Sequence, residues 1–303
     1  MTSLTLATWN VNGIRARESH VNDWLASESP DVVCLQEIKA TPAQVPESLR
    51  QHPDYWTYWH GAGGYSGVAL LVKKSLSADA PSCTHPPFDF EQRIATVDIA
   101  GITIAAVYVP NGGKDFDAKM RFLSDLRTFA AERHAAGQVI ALCGDMNVAR
   151  EDRDVHPKER KATAIGQTQP ERDLFGTLLD TGLTDTGRTL APEADDLFTW
   201  WAPWRNLRQR NIGWRIDYIL TSRALDDCLV TSKSQREVGT SDHAPVVLGI
   251  ARHGDARMQA KTRGARGMWG LSTGIRELTV RWRGVAASSR SPSGSRRGCR
   301  WPW

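Results

Sequence analysis

The sequence lacks the features that mark membrane, secreted or zinc-binding proteins. No apolar run approaches the roughly 18 residues needed to cross a membrane. The N-terminus does not place a basic region before an apolar segment, as a signal peptide does. The five cysteines are scattered without the paired spacing of a zinc site, and Cys34 and Cys143 lie in apolar runs that predict buried thiols. We therefore expect a cytoplasmic protein that does not enter a membrane.

Nucleotide-binding loops are missing as well. Neither the GxGxxG pattern nor the P-loop pattern GxxxxGKS/T occurs in the chain. This absence argues against a doubly wound nucleotide-binding fold.

The basic excess of the chain is concentrated at its C-terminal end. The whole sequence carries a formal charge of +4. Residues 252–303 contain eleven arginines and one lysine against two acidic residues, a charge of +10, so residues 1–251 carry −6. The body is thus acidic, and the overall charge is weak evidence that it binds nucleic acid.

Residues 252–303 also differ from the body in composition. They are rich in arginine, glycine and serine, show no sustained periodicity and hold four of the twelve tryptophans. This composition predicts a basic, disordered C-terminal tail after a folded domain over residues 1–251. Arginine and tryptophan together can grip single-stranded nucleic acid, but we favour an extension without a selected role.

Residues 1–251 alternate between strand-like and helix-like patterns. Period-two or continuous apolar runs predict strands at 4–9, 31–35, 67–72, 93–99, 102–109, 139–143, 214–220 and 245–250. Helical spacing of apolar residues predicts helices at 21–29, 116–136 and 170–180. The elements fall into two halves that each begin with strands. This order predicts an α/β (α+β) sandwich of two packed β-sheets flanked by helices.

Polar side chains stand at or near the ends of most of these strands. The six loci are Asn10 with Asn12, Gln36-Glu37, Tyr108 with Asn111, Asp145 with Asn147, Asp217, and Ser241-Asp242-His243. If the strand direction at 139–143 persists for two residues beyond Gly144, Asp145 and Asn147 point to the same side. Each locus alone has an ordinary structural explanation, such as a turn or a cap. Together they predict one polar site.

The residue types at these loci suit a magnesium site. The hard oxygen donors are the carboxylates of Glu37, Asp145 and Asp242 and the amides of Asn10, Asn12 and Asn147. Mg²⁺ favours such oxygens and takes one or two carboxylates together with water and substrate phosphate. His243 needs an orienting acceptor to act in catalysis, which Asp217 can supply, and Tyr108 can offer its hydroxyl to a phosphoryl oxygen. The inventory predicts metal-assisted hydrolysis of a phosphate ester.

Six motifs stand in an order that resembles a known family. They are TWNVNGIR at 8–15, LQEIK at 35–39, YVPN at 108–111, GDMNVA at 144–149, NIGWRIDY at 211–218 and SDHAP at 241–245. Over residues 4–250 this order resembles the exonuclease III / apurinic-apyrimidinic endonuclease family, within the endonuclease/exonuclease/phosphatase superfamily. Gly-Asp-x-Asn and Ser-Asp-His alone would indicate only the superfamily. The resemblance implies a DNase I-like four-layer sandwich, with a catalytic domain over residues 1–251.

The resemblance also implies a metal set. Glu37 resembles the principal Mg²⁺ ligand, with Mn²⁺ as an alternative ion. The full expected set is Asn10, Asn12, Glu37, Asp145, Asn147, Asp242 and His243. Some members of the family have aspartate at the position of Asn12, so the number of metal ions stays open.

The expected catalytic set is Tyr108, Asp145, Asn147, Asp217 and His243. By resemblance, Asp145 activates the attacking water, Asn147 is its partner at the phosphate, and His243 pairs with Asp217. The water attacks in line and expels the 3′ oxygen. A Tyr108 phenolate is an alternative base, although the ordinary tyrosine pKa near ~10 argues against it.

The stretch from 198 to 211 points to DNA, because it is aromatic and basic and contains no acidic residue. In the family this region shapes a pocket for a flipped-out abasic sugar, and Trp204 and Lys114 lie where relatives push side chains into the duplex. The expected substrate-binding set is Asn111, Lys114, Trp200, Trp204, Arg205, Trp214 and Ile216. Arg208 and Arg210, like Arg205, can meet phosphates. Trp201 is expected in the core.

The sequence therefore predicts a Mg²⁺-dependent DNA-repair phosphodiesterase. Its expected partner is double-stranded DNA with abasic sites or 3′ ends, and we expect it to act as a monomer. It would incise 5′ to abasic sites, degrade DNA from 3′ ends and clean those ends. Two alternatives remain: a superfamily phosphatase or phosphodiesterase acting on another phosphate ester, and a non-catalytic DNA-binding relative.

Overall fold

The computed structural model describes residues 3–251, which contain two six-stranded β-sheets and five α-helices. The strands are β1 (Ser3–Asn10), β2 (Val32–Gln36), β3 (Tyr55–His60), β4 (Val68–Lys73), β5 (Cys83–Thr84), β6 (Ile94–Ile99), β7 (Ile102–Tyr108), β8 (Val139–Asp145), β9 (Leu183–Asp185), β10 (Asp217–Ser222), β11 (Leu229–Ser234) and β12 (Val246–Ala251). The helices are α1 (Glu18–Glu28), α2 (Glu47–Arg50), α3 (Phe116–Ala135), α4 (Gln169–Asp180) and α5 (Thr186–Leu190). The predicted tail, 252–303, lies outside the described residues, so its disorder stays a prediction.

The two sheets have similar topologies. The first has the strand order β11-β12-β1-β2-β4-β3, and the second has the order β5-β6-β7-β8-β10-β9. The β1–β2 pair of the first sheet and the β7–β8 pair of the second are parallel, whereas the other pairs are antiparallel. Each parallel pair needs a long crossover, which α1 and α3 provide.

Alternation of side chains divides the apolar residues into layers. The inner faces of the two sheets share one core, which includes Leu6 and Cys34 from the first sheet and Ile104 and Cys143 from the second. The outer face of the first sheet packs on α1 and α2, and the outer face of the second packs on α3 and α4. The four-layer sandwich that the sequence predicted is confirmed.

Most predicted elements are present, with shifts of a few residues at their ends. The prediction missed two longer strands, β3 and β11, and two short ones, β5 and β9. β3 and β11 lie at the edges of the first sheet, and both have mostly half-buried or exposed side chains. An edge strand shows weaker hydrophobic patterning because its outer side meets solvent. Among the described residues, no helix is both long and apolar enough to span a membrane.

The polar site lies where the alternation of the inner faces ends. In the second sheet, Tyr108 and Asp217 both pair in register with Asp145, and all three side chains continue the inward-facing series of their strands. Asn10 ends the corresponding inward series of β1 in the first sheet. Two sheets that are apolar along most of their inner faces therefore present polar groups to one another at one end.

Glycine is required immediately before Asp145. A Cβ atom on Gly144 would lie 1.8 Å from the carbonyl oxygen of Val107 on the neighbouring strand. This contact is far inside van der Waals distance, so any side chain here would push β8 away from β7. Gly144 therefore sets how closely Asp145 approaches Tyr108.

Candidate active site

Glu37 and Asp145 are joined by a shared hydrogen-bond donor. The Asn10 amide nitrogen lies 3.0 Å from Glu37 Oε1 and 3.0 Å from Asp145 Oδ2, and donates to both. The Tyr108 hydroxyl donates to Glu37 Oε1 at 2.9 Å. Asn10 acts here as a donor, while its Oδ1 accepts from the Asn12 backbone N–H at 3.0 Å. Residues from four predicted loci thus meet in one cluster.

His243 lies on the other side of Asp145 and pairs with Asp217. Its Nδ1 is 2.9 Å from Asp217 Oδ2, and its Nε2 is 3.9 Å from Asp145 Oδ2. All three side chains are nearly fully buried. The Ser241 hydroxyl holds this segment by donating to the Asn10 backbone carbonyl at 2.7 Å. The expected imidazole–carboxylate pair is therefore formed, with the second ring nitrogen directed toward Asp145.

The pKa values in this cluster follow from burial and from the proximity of charges. Burial, and then the charge of Asp217, raise the pKa of Asp145 to about 7, against the opposing effect of His243. Burial would lower the pKa of His243, but the Asp217 charge and hydrogen bond outweigh it and raise that pKa to about 10. Burial and the nearby Glu37 and Asp145 charges raise the pKa of Tyr108 well above its ordinary value. The raised pKa favours the neutral hydroxyl of Tyr108 and argues against the phenolate alternative.

A second set of contacts holds Glu37 at the rim of the site. Lys39 Nζ lies 2.7 Å from Glu37 Oε2 and 2.6 Å from Asn12 Oδ1. Burial would raise the pKa of Glu37, but the hydrogen bonds from Asn10 and Lys39 outweigh burial and lower it. Glu37, Lys39 and Asn12 all have positive φ values near 50°, where non-glycine residues are uncommon. The rim is thus held in an unfavourable backbone conformation by contacts around the carboxylate.

Asp242 is oriented by two donors from opposite sides. The Asn12 amide donates to its Oδ1 at 2.9 Å, and the Trp200 indole N–H donates to its Oδ2 at 3.0 Å. Burial opposes ionisation of Asp242, but the charge of His243 and these two donors lower its pKa overall. Asp242 therefore connects the polar cluster to the aromatic wall described below.

Asn147 does not share the orientation of Asp145. β8 ends at Asp145, and Asn147 has φ +51°, so the strand direction does not persist for two residues as the sequence argument required. The Asn147 amide nitrogen donates to the Val109 carbonyl at 2.8 Å, and its Oδ1 accepts from the Asn111 amide at 3.2 Å. Its backbone N–H donates to Asp145 Oδ1 at 2.9 Å. Asn147 thus supports Asp145 through its backbone and pairs with Asn111 through its side chain.

A buried lysine fixes the turn that contains Asn147. Lys119 on α3 is fully buried, forms an ion pair with Glu171, and donates to the carbonyls of Asn147 at 2.7 Å and Asn111 at 3.1 Å. Lys119 was not among the residues predicted from the sequence. Its spacing could have revealed it, because Lys119 precedes Phe122, Leu123 and Leu126 by three, four and seven residues. That spacing places the lysine on the apolar face of the predicted helix and indicates a buried charge.

An aromatic wall stands next to His243. The rings of Trp200 and Trp214 meet edge to face with centroids 5.4 Å apart, and Trp200 is 6.4 Å from the His243 ring. Single β-bridges join Trp200 to both Trp214 and His243. Ile216 is buried and packs with these tryptophans. Trp201 is 1% exposed, which confirms its expected place in the core.

A buried network of charges holds the chain between Trp214 and Asp217. The Arg215 guanidinium contacts Asp154 at 2.8 Å and Asp185 at 2.6 Å, and Arg188 contacts Asp154 at 2.7 Å. All four side chains are less than 10% exposed. Thr199 supports the same segment by accepting from the backbone N–H groups of Ile216 and Asp217 at 3.1 Å each. None of these charged groups was predicted from the sequence to belong to the site.

We expect Arg215→Met to destabilise the fold strongly. The substitution removes the positive charge that pairs with the buried carboxylates of Asp154 and Asp185. Removing one partner of a buried ion pair costs about 3–5 kcal/mol. Burial would raise the pKa of Asp185, but Arg215 outweighs burial and lowers it. The pair's contribution to stability is therefore present above the ordinary aspartate pKa and is lost as the pH falls through the lowered value.

Urea unfolding at pH 7 and at pH 3 measures both effects of Arg215→Met. The matched control is Arg236→Met, because Arg236 pairs with Glu237 at the surface and such pairs contribute about 0–1 kcal/mol. If Arg215→Met lowered the free energy of unfolding at pH 7 by less than about 1 kcal/mol, its effect would equal that of an exposed ion pair. That result would contradict the assigned role.

The basic loop is divided between exposed and internally bound side chains. Trp204 is 59% exposed, and Arg205 is also exposed, at a left-handed backbone position. Arg208 instead donates to the carbonyls of Arg236, Ser241, Val238 and His243. The hypothesis that Arg208 meets phosphates is therefore replaced by a structural role, in which it braces the segment leading to His243.

Lys114 lies in a separate cleft beside Asn111. The cleft has a volume of about 1020 Å³ and is also lined by Tyr65, Arg93 and Arg121. The Arg93 guanidinium is buried and stacks over the Tyr108 ring, 4.7 Å from its centroid. The cleft therefore extends from the active-site end of β7. Its three cations are balanced by three carboxylates, those of Glu91, Asp115 and Asp117.

The donor atoms of the cluster can hold a metal ion. Glu37, Asp145 and His243 each place one ligand atom within 4.8 Å of the others. The carboxylates of Glu37, Asp145 and Asp217 lie close together in this buried space. Repulsion from Asp217 contributes to the raised pKa of Asp145. A divalent cation would relieve this repulsion, so the donor set fits a metal.

Comparison with known proteins agrees with this geometry. The family model described as "Endonuclease/Exonuclease/phosphatase family" matches residues 7–243. The chain is 34% identical over 258 residues to "DNA repair nuclease APEX1" of Danio rerio, which covers 82% of this chain and 83% of the relative. It is also 34% identical over 254 residues to an exodeoxyribonuclease of Bacillus subtilis. That match covers 82% of this chain and 99% of the relative.

A solved structure gives the same result at the level of the fold. A 3′-5′ exonuclease (NExo) from Neisseria meningitidis superposes with a TM-score of 0.75 at 30% identity, and covers 82% of this chain and 100% of that chain. The chain therefore belongs to the endonuclease/exonuclease/phosphatase family, as its motifs indicated, and is a hydrolase of phosphodiester bonds.

Proposed function

We propose that this protein is a Mg²⁺-dependent DNA-repair phosphodiesterase that incises 5′ to abasic sites in duplex DNA. We further propose that it acts on 3′ ends as a 3′-to-5′ exonuclease, that it works as a monomer, and that it acts in the cytoplasm. One observation carries the proposal: the buried group of Asp145, His243 and Asp217 lies directly beside the aromatic wall of Trp200 and Trp214. The first group suits phosphodiester hydrolysis, and the wall suits a sugar that lacks a base.

Asp145 is the proposed base. An ordinary aspartate, with a pKa near ~4, is a weak acceptor for a water proton. Without a bound metal, burial, followed by the charge of Asp217, raises the pKa of Asp145 to about 7. This makes Asp145 a stronger base than an ordinary aspartate. The backbone N–H of Asn147 and the amide of Asn10 each donate to one carboxylate oxygen and fix its orientation. Asp145 would take a proton from the water that attacks the phosphorus and expels the 3′ oxygen.

His243 is the proposed cation at the phosphate. Its raised pKa keeps the imidazole protonated at neutral pH, and Asp217 fixes its Nδ1, which leaves Nε2–H directed toward the site. The amides of Asn147 and Asn111 each keep a second N–H that can donate to a phosphoryl oxygen. The Tyr108 hydroxyl donates to Glu37 and can serve the phosphate only by exchanging that bond. These groups would stabilise negative charge as it develops on the phosphate.

The family is metal-dependent, and Mg²⁺ fits the donors best. Glu37 and Asp145 supply carboxylate oxygens, and Asp242 and the amides of Asn10, Asn12 and Asn147 lie around them. His243 lies within reach of the same ion, but in its proposed protonated form it has no free lone pair and faces the phosphate instead. Mg²⁺ prefers such oxygen ligands, and Mn²⁺ accepts the same ones. When bound, the ion supplies Lewis-acid stabilisation of phosphate charge. Lys39 holds Glu37 ionised at the rim, ready for a cation.

Recognition of the lesion is assigned to the wall and its neighbours. Trp200, Trp214 and Ile216 offer an apolar surface next to His243, on which a deoxyribose without a base can rest. Extruding such a sugar costs little, because no base must be unstacked. Trp204, Arg205 and Lys114 are exposed and can reach the duplex. The names of the relatives, a DNA repair nuclease and an exodeoxyribonuclease, support DNA as the substrate.

The proposal is tested with a labelled duplex that carries one tetrahydrofuran abasic analogue. We expect a single incision 5′ to the analogue with Mg²⁺, and none with EDTA, because charge at the phosphate then lacks its divalent cation. An undamaged duplex of the same sequence is the control, and it should show only shortening from 3′ ends.

Two other outcomes would redirect the assignment. Hydrolysis of a phosphoinositide with an intact abasic duplex would favour the phosphatase alternative. Tight binding of the duplex without cleavage under any divalent metal would favour a non-catalytic relative.

A further inference from the structure

A second cluster of metal-ligating side chains lies at the edge of the two sheets, apart from the active site. His60 ends β3, and His85 follows β5 directly, while Asp89 lies in the loop before β6. Trp56 and Tyr58 pack on the core between the sheets, so alternation along β3 directs His60 inward as well. The cluster therefore spans the open edge between the two sheets.

The three side chains are already close enough to share one ion. Each offers one ligand atom within 4.8 Å of the others. His60 Nε2 lies 2.6 Å from Asp89 Oδ2, and the His60 and His85 rings stack with centroids 3.7 Å apart and an angle of 20°. Tetrahedral Zn²⁺ with bonds of about 2.0–2.1 Å sets its ligand atoms about 3.4 Å apart. Binding therefore requires the His60–Asp89 contact to open and the stacked rings to rotate until both imidazole nitrogens point at one ion.

The surrounding hydrogen bonds orient two of the ligands. His85 Nδ1 lies 3.2 Å from the Ile94 carbonyl oxygen, which favours the Nδ1–H tautomer and leaves the lone pair on Nε2. Asp89 Oδ1 accepts from the backbone N–H groups of Arg93 and Ile94 at 2.8 and 3.0 Å, which leaves Oδ2 facing His60. Metal-binding histidines and carboxylates are commonly held in this way.

The chemistry of the cluster differs from that of the active site. It offers two imidazoles and one carboxylate, a set that suits Zn²⁺ and is poor for Mg²⁺, which prefers oxygens. His85 is exposed, and the side chains of His60 and Asp89 are 22% and 11% exposed, so an ion and a fourth ligand from solvent can enter. We propose that His60, His85 and Asp89 form a second metal site that binds Zn²⁺ and ties the edge strand of the first sheet to the β5–β6 connection of the second.

The location gives this site a structural consequence. The Asp89 carboxylate accepts from the backbone N–H of Arg93, and the Arg93 carbonyl in turn accepts from the backbone N–H of Tyr108 at 2.8 Å. An ion bound at Asp89 therefore steadies a segment that leads to the active-site tyrosine. It joins elements that are far apart in the chain, so binding stabilises the folded state relative to the unfolded chain.

Co²⁺ is the probe for this site, because tetrahedral Co²⁺ absorbs visible light much more strongly than octahedral Co²⁺. The full-length protein, stripped of metal and saturated with Mg²⁺, is titrated with Co²⁺ and then with Zn²⁺. We expect one equivalent of Co²⁺ with an intense visible band, which one equivalent of Zn²⁺ abolishes. We also expect Zn²⁺ at 100 times its Kd to raise the Tm by roughly 5 °C.

Variants assign the signal to the cluster. His85→Ala and Asp89→Asn should each remove the band and the Tm rise, whereas Glu37→Gln should keep both. His20→Ala is the matched control and should also keep both signals. Metal that binds elsewhere on the chain is common to all variants, so it does not change the comparison. His85 is exposed, so its substitution leaves the core intact. Equal Co²⁺ stoichiometry and equal band intensity in the wild type and in His85→Ala would overturn the proposal and leave His60–Asp89 as an ordinary ion pair.

Discussion

Asp145→Asn is expected to lower the rate of incision at an abasic site by about 10²–10⁴, the usual contribution of a general base. The amide cannot take the proton from water, although it is close to the carboxylate in size. DNA binding should persist, because the variant removes a negative charge that faces the phosphate. Single-turnover incision rates and the Kd for the uncleaved duplex in Ca²⁺ separate the two effects.

The control for this variant is Asp98→Asn, because Asp98 is exposed on β6 and also accepts a side-chain hydrogen bond, from Thr103. It should keep the wild-type rate. The Asp145→Asn protein should also unfold near the wild-type temperature, since the loss of repulsion from Asp217 offsets a disturbed contact with Asn10 or Asn147. Turnover near that of the wild type in Asp145→Asn would remove this residue from the mechanism.

His243→Ala and Asp217→Ala are expected to act as one unit. His243 carries the positive charge at the site, and Asp217 holds that charge in place. Removing one group that stabilises transition-state charge costs about 10²–10³ in kcat. Because each depends on the other, the double variant should lose about as much as His243→Ala alone, rather than the product of the two losses.

A double-mutant cycle on kcat and KM measures this coupling. His52→Ala is the control, because His52 belongs to none of the motifs and packs on Tyr55. We expect the losses to fall on kcat with small changes in KM, since the cation acts mainly on charge that develops during the reaction. Multiplicative losses in the double variant would show that Asp217 and His243 contribute separately.

The sequence predicted the architecture because the inner faces carry regular alternation. The strands that contain Asn10, Tyr108 and Asp145 are flanked by apolar residues with a clear period, and their ends are marked by polar residues. Alternation and register together then bring these side chains to one end of the sandwich. The motif order was needed to assign roles, because spacing alone does not distinguish a metal ligand from a base.

Other parts of the site could not be predicted, because they depend on contacts between distant segments. Lys119 supports the turn at Asn147 from a helix 28 residues earlier in the chain. Arg215 is held by Asp154 and Asp185, which no local pattern connects to it. The orientation of Asn147 was also missed, because the strand ends at Asp145 and the next residues turn through positive φ.

The internal bonding of Arg208 has a consequence for how the protein responds to ionic strength. Protein–DNA affinity falls with salt in proportion to the number of phosphates neutralised, with a slope in log K against log salt of about −0.9 for each phosphate on B-DNA. The loop contains three arginines between 204 and 211, but Arg208 donates to four carbonyls and is not free for phosphate. In the proposed DNA complex, this loop would therefore release counterions through Arg205 and Arg210, and binding would depend less on salt than the arginine content suggests.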